Sequence, residues 1–169
     1  MSEKEQVLRE RLRHDGLFDF RGTYSFAHDW LKDEKRYGVV EERYNEKVSG
    51  NARDLMIEWR AMRKLSDYIK IEIFIRIEIT GMTEVEVEID GEKKKMNKGR
   101  VELDIRGALI KDPDSKWDKA PFTRFMRDVY NKYVIPGRIF EMEMRVKNDV
   151  IKFKDEVKAF LELSARPRR

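Results

Sequence analysis

The 169-residue chain has no cysteine, only two histidines and four prolines, and no uninterrupted apolar run longer than a few residues. The missing cysteine excludes a disulfide framework, a thiolate zinc site and a cysteine nucleophile. The short apolar runs exclude a membrane-spanning helix. The opening "MSEKEQVLRERLRHDG" has no apolar stretch of leader length, and no Asn-x-Ser/Thr acceptor occurs, so a soluble cytoplasmic protein is expected. G-x-G-x-x-G, P-loop, H-E-x-x-H and G-x-S-x-G patterns are missing as well. Nothing implies a cofactor, and no enzyme is expected.

Charge is what the chain has in abundance. Charged residues make up 41% of it, against about 25% in ordinary domains. They nearly cancel, because 37 Lys and Arg face 33 Asp and Glu for a net charge of +4. Abundant Glu, Lys, Arg and Ile without cysteine is a thermophilic, archaeal flavour of composition, since ion-pair networks cost less to desolvate when hot. With 40% hydrophobic residues, a chain of this length forms a single domain that buries roughly 70% of its unfolded surface.

The organisation expected over 1–169 is a short N-terminal helix at 2–14, a mainly β region at 17–110, a mainly helical region at 119–164 and a basic tail at 165–169. Ser2 and Glu5 have capping-box spacing, and Val7, Leu8 and Leu12 supply the stripe of the first helix. "LFDFRGTYSF" alternates as a strand, "SFAHDWLKDEK" reads as a short helix, and Val40, Tyr44 and Val48 mark another strand ending at Ser49-Gly50-Asn51. Period-2 alternation then runs for over fifty residues. Leu55, Ile57, Trp59 and Ala61 share a face; Asp90-Gly91 is a type I′ hairpin signal, and Asn97-Lys98-Gly99 reads as a second turn. Pro121 opens a helix carrying Phe122, Phe125, Met126, Val129, Tyr130 and Tyr133, which Pro136-Gly137 stops. "RIFEMEMRVK" suits a strand or a helix, and Val150, Phe153, Val157, Phe160 and Leu161 form a last helix.

The strongest pattern is "YIKIEIFIRIEITGM", with isoleucine at 69, 71, 73, 75, 77 and 79. Twelve strand residues span about 40 Å. Such an apolar face needs cover, and the helix from Pro121 offers a matching stripe. The fold class expected is α+β: a curved antiparallel sheet of about six strands packed against C-terminal helices. That element order resembles the START-like helix-grip domains, a resemblance that implies a cup around an apolar cavity. "PFTRFMRDVYNKYVIP" and "DEVKAFLEL" look like segments of an uncharacterised family of small archaeal proteins, which implies no activity.

Candidate chemistry is sparse. His28-Asp29 is half of an acid–base pair without a nucleophile, and His14 sits among charges. Asp112, Asp114 and Asp118 have the oxygen ligands Ca²⁺ takes, but Trp117 stands where an EF-hand loop needs Gly and Thr123 where it needs Glu. Turn hydrogen bonds and helix capping account for them better. Lys93, Lys94, Lys95, Lys98 and Arg100 form the densest basic run, a candidate phosphate-binding patch to which Arg166, Arg168 and Arg169 would add. With a two-residue turn at Asp90-Gly91, however, Lys93 faces Glu88 and Lys95 faces Glu86, and no stacking aromatic is interleaved.

Phe74 interrupts the charged face of the isoleucine strand, and Met56 and Met62 point the same way from the preceding strand. A loop at Ser66-Asp67-Tyr68 would set Arg60 opposite Phe74 and Glu58 opposite Arg76, explaining that face without a partner. Otherwise Phe74, Met56 and Met62 are a candidate partner contact. The reading favoured is a non-catalytic interaction or assembly module that forms a homo-oligomer. An apolar-ligand carrier with a sheet–helix cavity ranks second, and nucleic-acid binding third.

Overall fold

Every isoleucine from Ile69 to Ile79 in the row is buried in the computed structural model, which describes residues 3–111, 120–130, 132 and 136–166. The row lies on the central strand of a five-stranded antiparallel sheet. In chain order the strands are β1 (Glu3–Phe18), β2 (Gly38–Ser49), β3 (Ala52–Lys64), β4 (Ile69–Ile89) and β5 (Glu92–Lys111), arranged in space as β1-β5-β4-β3-β2. Helix α1 (Phe20–Asp29) and a π-helical turn at Trp30–Glu34 link β1 to β2, while α2 (Pro121–Val129) and α3 (Pro136–Ser164) follow β5. The class is α+β, loosely helix-grip-like in element order. No helix among the described residues is long and apolar enough to cross a membrane.

The expected N-terminal helix at 2–14 is instead β1, an edge strand. Leu8 and Leu12 are four apart, a spacing that shares one face in a helix and in a strand alike. The residue between them that settles the period is Glu10, which turns inward and is met by Lys154 of α3 at 3.1 Å. A charge therefore hides the alternation. The strand expected across "LFDFRGTYSF" ends at Phe18, because Asp19 caps α1 by accepting from the Gly22 amide at 3.0 Å.

The second turn, expected at Asn97-Lys98-Gly99, does not exist, and this reduces six strands to five. β5 runs straight through it, while β4 carries a bulge between Thr80 and Thr83. Gly99 lies beneath that bulge, where a Cβ would sit 3.0 Å from the Thr80 carbonyl oxygen. Glycine here marks a close approach of two backbones. The Asp90-Gly91 hairpin is as expected, with Ile89 paired to Glu92 and φ of 53° and 78° at the two turn residues.

The isoleucine face is covered by a different helix from the one expected. α3 lays Val146, Val150, Phe153, Val157 and Leu161 inward, all fully buried. Its 29 residues give a rod of about 43 Å, comparable with the roughly 36 Å spanned by the isoleucine stretch from Ile69 to Ile79. α3 packs on β1, β5 and α1, and joins Trp30, Leu31 and the isoleucine row in one core cluster. Gly107 of β5 admits it closely, since a Cβ there would stand 2.6 Å from Val146 Cγ1. Pro136 opens α3, and "RIFEMEMRVK" is helix. α2 instead exposes Phe122, Phe125 and Met126. Tyr130, just beyond it, touches the β3–β4 loop edge-on through Tyr68 at 5.6 Å. Tyr133, Arg168 and Arg169, with Asp112, Asp114 and Asp118, lie outside the described residues.

Candidate functional site

The sheet face opposite α3 carries an interlaced set of charges. The register sets Glu58 opposite Arg76 and Arg60 opposite Phe74, the pairs expected from the loop at Ser66-Asp67-Tyr68. Arg76 Nη2 donates to Glu58 Oε1 at 2.8 Å, and Arg43 approaches the same carboxylate at 3.8 Å. Arg60 donates to Glu42 and to buried Glu72, which also accepts from Lys4. Its guanidinium carbon stands 5.6 Å from the Phe74 ring centroid. Further along, Arg9 grips Asp104 through two bonds of 2.9 and 2.6 Å. That grip, followed by the Arg106 contact, holds the Asp104 carboxyl below its ordinary value.

Phe74, Met56 and Met62 are all half-buried on this face. Met62 faces Glu72 and is a diagonal neighbour of Phe74, whereas Met56 faces Glu78, two rungs away in the other direction. Phe74 and Met62 are brought together; Met56 is not. Arg43 reaches the Met56 sulfur at 4.0 Å.

The basic run is not gathered into one patch. All five residues lie on β5, where alternation sends Lys93 and Lys95 to one face and Lys94, Lys98 and Arg100 to the other. Lys93 is paired with Glu88 and Lys95 with Glu86 in the register, as expected. The Lys95 ammonium leans to the diagonal carboxylate of Glu84 at 3.9 Å, and Arg100 is bonded to Asp15 at 3.0 Å.

An open cleft of about 710 Å³ lies where the start of α1 meets the β2–β3 and β4–β5 hairpins. Its walls combine Phe20, Tyr24 and Tyr44 with the ion pairs Arg53–Glu46 at 3.3 Å and Lys95–Glu84 at 3.9 Å. The Tyr24 hydroxyl donates to Glu41, which also accepts from Trp59 Nε1 at 3.0 Å. Burial, and then that carboxylate, push the Tyr24 hydroxyl up to about 12, so it stays protonated at neutral pH. Between sheet and helices one small pocket of about 10 Å³ lies at Phe18, Ile77, Val101 and Val157.

Both histidines make local contacts. His14 Nε2 lies 2.8 Å from the Leu17 carbonyl, and His28 Nδ1 lies 3.4 Å from Asp29 with its ring edge-on to Trp59. No group of three His, Cys, Asp or Glu among the described residues is placed to hold a metal. One buried polar pair had no signal in the sequence. Tyr37 donates to Asp149 at 2.7 Å, tying α3 to the start of β2. Burial, and then the carboxylate, push the Tyr37 hydroxyl up, and 112 positions separate the partners.

Comparisons with family models, with curated proteins and with solved structures find no match to this chain.

Proposed function

We propose that the chain is a non-catalytic assembly module that associates with further copies of itself. The observation that carries this reading is the face of α2, on which Phe122 is 72% exposed, Phe125 62% and Met126 41%. Three large apolar side chains at i, i+3 and i+4 form one stripe. With aromatic side chains of about 200 Å² each, the two rings alone leave roughly 270 Å² of apolar surface in water. The largest apolar patch on a monomer is about 300–600 Å² and often functional, and aromatic and methionine side chains are enriched at protein contacts. Phe140 and Met144 are exposed in the same manner on the first turns of α3.

The filled interior also favours assembly over carriage. A site for an apolar small molecule needs about 300 Å³ or more, far above the pocket of about 10 Å³ at Phe18 and Val157. The roomier cleft is lined by paired charges that suit an apolar guest poorly.

Sedimentation of the wild type beside a Phe122→Glu/Phe125→Glu variant tests the reading. The wild type is expected above its 20.4 kDa monomer mass at tens of micromolar, and the variant at the monomer mass with unchanged circular dichroism. A variant that keeps the wild-type mass takes α2 out of the contact.

A further inference from the structure

The β4–β5 hairpin outruns the sheet on both sides. β3 pairs with β4 only as far as Arg53 opposite Met82, and β1 ends where Phe18 meets Asn97 of β5. The β4–β5 ladder continues to Ile89 opposite Glu92. From Thr83 to Ile89 the β3-side edge of β4 therefore has no neighbouring strand among the described residues. Seven residues make about 23 Å of free strand edge.

This edge differs from the two that border the sheet. β1 and β2 each carry a bulge, between Gln6 and Leu8 and between Glu41 and Arg43, and each mixes both signs of charge. Those devices discourage strand pairing. Thr83–Ile89 has no bulge, no proline and charge of one sign. Glu84, Glu86 and Glu88 take one face, and Val85, Val87 and Ile89 the other. The three carboxylates are exposed, and among the described residues only Glu84 has a cation within 4 Å, the 3.9 Å contact to Lys95.

We infer that β4 takes up an extended peptide segment of a partner protein along Thr83–Ile89, one carrying Lys or Arg at every second position with small apolar residues between. Backbone hydrogen bonds to the open edge supply affinity, and the alternating side chains supply specificity. Basic side chains of the incoming strand fall opposite Glu84, Glu86 and Glu88, where opposite charges stabilise a cross-strand pair. A two-fold pairing of two such edges does not fit, because antiparallel copies of Thr83–Ile89 put Glu opposite Glu. A two-stranded ribbon is marginal alone and gains a third strand by this addition.

The probe is a fluorescein-labelled heptapeptide, Val-Lys-Val-Lys-Val-Lys-Val, followed by anisotropy against the full chain at low salt. Saturable binding is expected, weakened roughly fivefold by Glu86→Gln/Glu88→Gln, which removes two favourable charge pairs with the peptide without setting Lys against Lys93 and Lys95 in the ladder. Amide hydrogen exchange at residues 83–89 slows in the complex. A heptapeptide with every backbone amide N-methylated keeps its charges but donates no hydrogen bond, and is expected not to bind. Equal binding of that methylated probe overturns strand addition in favour of charge attraction alone. No binding of the unmethylated probe overturns it outright, whatever the oligomeric state of the chain.

Discussion

Arg60 lies directly across the β3–β4 ladder from Phe74, its guanidinium over the ring at 5.6 Å while its nitrogens bond Glu42 and Glu72. One side chain thus shields an aromatic ring on the open face and neutralises a carboxylate, Glu72, that is only 4% exposed.

Removing that arginine has a calculable consequence. Arg60→Ala leaves Glu72 with Lys4 as its one cation among the described residues and uncovers the Phe74 ring. The expected loss is about 1–3 kcal/mol, the range for stripping a charged partner from a buried group. Urea denaturation measures it; a loss below about 0.3 kcal/mol means the network is held by solvent rather than by Arg60.

The isoleucine row gives a larger effect. Ile73 is fully buried, so Ile73→Ala is expected to cost about 2–5 kcal/mol. Gly107→Ala tests the cover instead of the sheet, because its Cβ would meet Val146 and Val150 at 2.6 and 2.9 Å. Overpacking of this kind costs about 1–3 kcal/mol. Denaturant midpoints of both variants place α3 over the sheet or remove it.

Much of this was readable from alternation. A strand has period 2, so once the loop at Ser66–Tyr68 is placed, the partners of Arg60 and Arg76 follow by counting, and Asp90-Gly91 fixes Glu88 against Lys93 in the same way. β1 reads as a helix in the sequence because a spacing of four satisfies both periods and Glu10 faces inward to Lys154. The covering helix was misassigned because α2 and α3 both carry apolar stripes, and a stripe does not name the surface it meets. The α2 face and the Tyr37–Asp149 tie depend on three-dimensional placement that no local pattern encodes.

Acid should weaken the outer face. Asp104 has its folded value held below the ordinary carboxylate value near 3.8 by Arg9 and Arg106. Through that interval the unfolded chain binds more protons than the folded one, so stability falls as pH drops. The contribution is fully present above the ordinary value and disappears as pH passes below the folded one. Thermal melts from pH 6 to pH 2 are expected to show a shallower acid decline in Asp104→Asn than in the wild type. Identical declines leave the Arg9 grip without energetic weight.

At the hairpin tip, Lys93→Glu/Lys95→Glu replaces two opposite-charge rungs by like-charge ones. Each rung changes by a few tenths of a kcal/mol or more, so faster amide exchange is expected between residues 84 and 96 with little change in global stability. Protection that stays at wild-type level shows the turn alone holds the ribbon.

Self-association is the central claim, and native mass spectrometry of the wild-type chain over a dilution series from tens of micromolar downward tests it most directly. The account predicts a multiple of the 20.4 kDa chain at the highest concentration, dissociating on dilution; a single 20.4 kDa species at every concentration contradicts it.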